Sequence, residues 1–294
     1  MDLFDVTLTY LICKLIHLQN HCIYYHRLYS VVDREKAFIE LITNYLKIQN
    51  KLIPQKRYKV FFSKEIKKQM SELNTTKINA INAIKTAFEN GESVVEWQSK
   101  TVFNSESDSM LNSWGLYHFH LGMTQTKKNI QNNVKFRERT GRLLIAYIDN
   151  IANSVYFIAI SDKHGKSEGP NNIEFARKRY MEILDNNWEH LLSPFKVSHL
   201  SPQNVTDDQR AFLFKNNVNL VEEVNGMVIA PHSFGQMVNG TRILDYLWIR
   251  LCLNFLKSIS NSQKMCSYCL NNLSFLTFLV LTNNKNVGLY GIHR

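Results

Sequence analysis

The hydrophobic period of the chain changes at Asn90-Gly91, and that change restricts the fold more than any other feature. Before it, apolar residues recur every three or four positions. REKAFIELITNYLKI places Phe38, Leu41, Ile42, Tyr45 and Leu46 on one helix face, and TTKINAINAIKTAFENG does the same with Ile78, Ile81, Ile84 and Phe88. The second segment begins at a threonine cap and stops at Asn90-Gly91, where glycine can take the left-handed conformation that ends a helix. Between the two, PQKRYKVFFSKEIKK is strongly basic around an aromatic cluster. It reads as a solvated loop and helix start, with a phosphate-contacting edge as the alternative.

After residue 90 the period is two. SVVEWQSKTVF reads as a strand, WGLYHFHL alternates, and RLLIAYID and NSVYFIAIS are runs of β-formers joined by a hairpin connection. The turn cluster KHGKSEGP precedes a helix, PNNIEFARKRYMEILDNNWEHLL. Pro170 lies near its first turn, and Ile173, Ala176, Tyr180, Ile183, Leu184 and Trp188 face inward. QRAFLFKNNVNLVEEVNGMVIAPH reads as further strands, with a tight turn at Asn225-Gly226. TRILDYLWIRLCLNFLKSI is an amphipathic helix whose stripe is Ile243, Leu244, Leu247, Trp248, Leu251, Phe255 and Leu256. The expected fold is α+β. A helical N-terminal region spans 1–92, and a core of largely antiparallel sheet with packed helices spans 93–240. A C-terminal helix and tail over 241–294 pack on that core.

The formal charge of +10 and the pI of 9.3 point to a polyanionic partner, nucleic acid or an anionic surface, although charge also serves solubility alone. Five cysteines are an odd number without framework spacing, which suits a reducing, cytoplasmic compartment. The lone CSYC lacks the second pair that a structural zinc site needs, so neither metal nor cofactor is expected. The start, MDLFDVTLTYLICKLIHLQNH, is acidic where a signal peptide is basic. Its apolar run is broken by Lys14 and His17, and LSFLTFLVL is too short to cross a bilayer. No membrane partner is therefore expected. There is no phosphate-binding glycine loop, dinucleotide fingerprint, nucleophile elbow or zinc-protease helix. Glu96 and Lys100 are too far apart along a strand for a metal-dependent nuclease pair.

In WGLYHFHL, side chains two apart share a face. Trp114, Leu116, His118 and His120 fall on one side, and Gly115, Tyr117, Phe119 and Leu121 on the other, which reads as the core side. The two histidines then stand on the outer face, where they could share acid and base roles or be ordinary polar residues covered by a helix. His164 follows a strand, in the kind of loop where functional groups collect. Around these lie Arg137, Arg139, Arg142, Lys163, Lys166, Arg177 and Arg179, suited to phosphate contacts. Such a set can cleave RNA without metal. One group takes the 2′-hydroxyl proton, a second protonates the leaving oxygen, and a cation holds the phosphorane.

GRLLIAYIDNIANSVYFIAISDKHGKSEGPNNIEFARKRYMEIL, with WGLYHFHLG before it, resembles RelE/HigB-like toxin domains over about residues 114–185. The shared order is an Arg-led strand, a hairpin to a second apolar strand, a Lys/His-rich loop and a helix. His118 or His120 stands where the family has an arginine, and 122–141 is an insert. The succession of WG, HFHL, an apolar hairpin and NNW is also similar to uncharacterised proteins of bacterial mobile elements and phage-defence loci. The resemblance implies a small sheet packed on helices and a ribosome-dependent or free mRNA endonuclease that uses basic side chains without metal. Together with the face and loop positions of His118, His120 and His164, taken as the catalytic residues, it makes the expected function that of a growth-arrest or abortive-infection effector, partnered by a protein antitoxin or triggered by phage. The alternative is a non-catalytic basic nucleic-acid-binding accessory protein.

Overall fold

The computed structural model describes residues 34–131, 133–161, 173–202 and 204–261. The chain divides into two units, Lys51–Ile243 and, flanking it in sequence, Met1–Asn50 with Leu244–Arg294.

The larger unit is built on a mixed four-stranded sheet. Its strands are β1 (Lys59–Phe62), β2 (Leu116–His120), β5 (Leu143–Asp149) and β6 (Ser154–Ile160), in the order β1-β6-β5-β2. β1 runs parallel to β6, while β6-β5 and β5-β2 are antiparallel. The fold is thus α+β, as the change of period predicts. KVFF, expected to be loop, is instead the parallel edge strand β1. Four residues are too few to display a period, and the flanking lysines mask the signal.

Both faces of the sheet are buried. One face packs Phe119, Leu144, Ala146, Val155 and Phe157 against α2 (Lys64–Met70) and α3 (Thr75–Asn90), through Ile66, Ile81, Ile84 and Phe88. The α3 helix is capped by the Asn74 side chain, one position before the threonine, and ends at Gly91 with φ 79°. The other face packs Leu116, Leu143, Ile145, Tyr156 and Ile158 against α4 (Ser109–Trp114), α5 (Arg179–Trp188) and α6 (Asp207–Lys215). A bulge lets Ile158 and Ala159, adjacent in sequence, both enter this second core, because Ile145 pairs with Ala159 and Ala146 with Phe157.

Three local expectations are corrected. SVVEWQSKTVF forms two short 3-10 turns, Val95–Trp97 and Lys100–Phe103, rather than a strand. QRAFLFK is helix α6. Its start is set by a capping box in which the Thr206 hydroxyl and the Gln209 side chain each accept from the other's backbone N–H, with Asp207 and Asp208 in the first turn. The long helix expected from Pro170 is, over its described part, a 3-10 turn at Ile173–Ala176 followed by α5. The Asn225-Gly226 turn forms as expected, with both φ positive, between β7 (Glu222–Val224) and β8 (Met227–Ile229).

In the smaller unit α1 (Arg34–Gln49) buries Leu41, Ile42, Tyr45 and Leu46 as its period predicts. Helix α7 (Ile243–Asn261) buries Asp245, Ile249, Cys252 and Leu253, while Leu244, Leu247 and Leu251 of the expected stripe are exposed. Apolar residues surround so much of this helix that period alone does not select the buried side. Asn50 donates to the Asp245 carboxylate at 2.7 Å. Among the described residues no helix is long and apolar enough to cross a membrane.

Candidate functional site

The two histidines of β2 lie on the sheet face that carries the second core. His118 pairs with Ile145 and His120 with Leu143 on β5. Their face is not open: His120 is buried, and the His118 ring packs on Phe175 at 4.8 Å. The two imidazoles stand 6.5 Å apart, nearly perpendicular. Burial pushes the His118 pKa below its ordinary value. The Asp108 carboxylate pulls the other way, and the Arg139 charge adds to the lowering. His118 is thus a neutral imidazole, and its buried Nδ1 has no hydrogen-bond partner. His164, Lys163 and Lys166 lie outside the described residues.

Several titratable side chains around the start of β2 were not singled out by the sequence, and of these Asp108 and Tyr117 line a pocket with His118. Asp108 caps α4 by accepting from the Leu111 N–H at 3.0 Å. Gly115 ends that helix at φ 70°, and a Cβ there would fall 2.6 Å from Cδ2 of His232, so only glycine lets the His232 ring lie against this turn. Burial, aided by the Arg242 charge, lowers the His232 pKa to about 4. Tyr147, 6.5 Å from the His232 ring, is pushed up to about 12, mainly by burial. Tyr117 is also raised to about 12 by burial, with Arg242 opposing and Asp108 assisting. No spacing in the sequence signals this group. It is assembled by a loop more than a hundred residues from β2.

Beside His118 is a small pocket whose lining includes Gln98, Ser99, Asp108 and Tyr117, with room for about one water molecule. Gln98 is buried and donates to the Lys51 carbonyl at 2.9 Å, while its Oε1 has no partner. The buried Lys51 ammonium in the same wall donates to the carbonyls of Thr101, Asn104 and Glu106 at 2.7, 2.6 and 3.0 Å.

The basic residues divide sharply. Arg137 pairs with Glu96 at 2.7 Å, lies over the Trp97 ring at 4.9 Å and donates to the Met123 carbonyl. Arg177 and Arg179 both pair with Glu174, whose side chain is fully buried, at 2.8 and 3.2 Å. These three arginines are held in internal structure. Arg139 and Arg142 are exposed, as is Lys135, and none of the three is in an ion pair with another of the described residues. All follow or lie on a two-stranded ribbon of β3 (Gln125–Gln131) and β4 (Val134–Arg137). Buried Phe136, packed edge-on to Phe103 at 6.0 Å, fixes the ribbon's base, and Glu96 accepts from both Arg137 and Gln125. Glu96 is therefore an anchor for the ribbon.

Among the described residues no group of three or more His, Cys, Asp and Glu side chains could hold a metal ion. In comparisons with known proteins, no family model, curated protein or solved structure matches the chain.

Proposed function

We propose that this protein binds nucleic acid, RNA in preference, and does so through the β3–β4 ribbon and the exposed arginines that follow it. The supporting observation is the distribution of charge. Residues 125–142 carry six cations, Lys127, Lys128, Lys135, Arg137, Arg139 and Arg142, against the single carboxylate of Glu138. Of these, Arg137 is spent on the ribbon's anchor, while Lys135, Arg139 and Arg142 face solvent. A ribbon fixed at its base and basic beyond it suits a phosphate backbone, since each neutralised phosphate releases a counterion.

The test is fluorescence anisotropy with a labelled single-stranded RNA at several salt concentrations, with unlabelled DNA as competitor. Replacing Lys135, Arg139 and Arg142 together by glutamine should weaken binding and flatten the salt slope by about 2, at roughly 0.7 per phosphate contact. Unchanged affinity and slope would remove the proposal. Better competition by DNA would move it from RNA to DNA.

A second reading, the toxin-like ribonuclease, has one observation in its favour. A neutral His118, with a free Nδ1, lies within the field of Arg139, and so has the protonation state required of a general base. On that reading His118→Ala abolishes growth arrest in a bacterial host while leaving RNA binding intact.

A further inference from the structure

The edge of the sheet opposite β2 is formed by β1. β1 ends the strand order, so one side of it pairs with β6 and the other pairs with no strand among the described residues. Lys59 and Ser63 donate their N–H groups to the carbonyls of Asn153 and Phe157 at 2.9 and 3.0 Å. Backbone groups alternate sides along a strand, so Val60 and Phe62 turn their N–H and C=O groups outward. The free edge is short and bears Phe61, which is 40% exposed and stacks on Tyr156 at 5.2 Å and 17°.

Positive charge surrounds this edge. Lys59, Lys64, Lys67, Lys68 and Arg57 are exposed, and none of the five is in an ion pair with another of the described residues. The nearest carboxylate in sequence, Glu65, accepts from Asn187 at 2.8 Å. Lysines on an edge strand repel a second copy of the same edge and so guard against self-pairing. The same charges attract a strand of opposite sign.

We propose that the β1 edge is a docking surface for an extended acidic polypeptide, which adds a fifth strand to the sheet. Its backbone pairs with Val60 and Phe62. Its carboxylates meet Lys59 and the lysines of α2, and an apolar side chain lies beside Phe61. The surface is separate from the ribbon, so the two proposals stand or fall independently.

The probe is a fluorescein-labelled peptide, Glu-Glu-Val-Val-Glu-Glu-Val, whose paired residues put both glutamate and valine on each face of a strand, about seven residues long to cover a strand of ordinary length. Its control is the same peptide fully N-methylated, which keeps the charges and has no N–H to donate. Anisotropy titration of the full chain should show saturable binding of the first peptide and binding about tenfold weaker, or none, of the second. Val60→Pro removes an outward N–H that the sheet does not use, and should weaken binding similarly, whereas Val60→Ala should not. If Val60→Pro fails to fold, the two peptides on the unaltered protein still decide. Equal binding of both peptides would reduce the edge to a charged patch and overturn the proposal. So would the absence of peptide binding, whether or not a labelled RNA binds these lysines.

Discussion

The central sheet and the β3–β4 ribbon treat charge in opposite ways. The sheet is covered on both faces, and the ionisable groups at its β2 end are held neutral by burial: His118 and His232 are lowered, Tyr117 and Tyr147 raised. The ribbon is held at its base, by buried Phe136, by the Glu96 carboxylate and by Arg137 over Trp97, and sets Lys135, Arg139 and Arg142 in solvent. Desolvation forbids unpaired charge in the first region, while attachment at the base alone permits it in the second. A histidine conspicuous in the sequence can thus be buried among helices, while a dull run of Lys, Arg and Asn stays in solvent.

The contrast is tested first by its largest effect. Phe157→Ala, at the centre of the sheet, should cost about 3–5 kcal/mol in a urea melt, because a fully buried ring leaves a cavity on a face with no solvent beside it. A loss below about 1 kcal/mol would mean that this face is not a true core.

Acid is the second test. His232 has a folded-state pKa of about 4, below its unfolded value near 6.5. Between those values the unfolded chain binds the extra proton, so stability is full above about pH 6.5 and falls as the pH drops toward 4. The loss should be of order 3 kcal/mol, with His118 contributing in the same direction. Urea midpoints at several pH values would show this, and His232→Asn should remove much of the slope. A stability flat from pH 7 to 4 would place the imidazole in contact with water.

The smallest effect is expected at the ribbon's anchor. Glu96→Gln breaks a partly exposed pair with Arg137 and should cost only about 1 kcal/mol globally. Hydrogen exchange should nonetheless quicken in Gln125–Arg137 and not in β5 or β6. Equal quickening in the sheet would show that the two regions are one cooperative unit.

How much could be read beforehand follows the same division. The α1 and α3 faces, the β5–β6 hairpin and the Asn225-Gly226 turn were legible, because each is set by local period or by a required backbone conformation. The sidedness of β2 was not. Alternation correctly separates His118 and His120 from Phe119 and Leu121, but cannot say that helices cover both faces. The ribbon passed as an insert because polar strands have no apolar period. The missed helix α6 did have a signal, the Thr206-x-x-Gln209 cap followed by acidic residues, which the apolar run after it obscured. His232 and Arg242 reach the site only through tertiary contact, and Gly115, the residue that admits the His232 ring, reads in sequence as an ordinary helix stop.

The Lys51 ammonium has a consequence for the loop it holds. Oxygens of Thr101, Asn104 and Glu106 converge on one positive centre, as oxygens do around a bound alkali or alkaline-earth ion. Here the ion is tethered to the chain by four methylenes. It does not exchange with the medium, a chelator does not extract it, and its occupancy does not vary with the salt around it. Amine-reactive reagents should label it last among the described lysines, when the 99–106 loop opens, which makes Lys51 a built-in reporter of that opening.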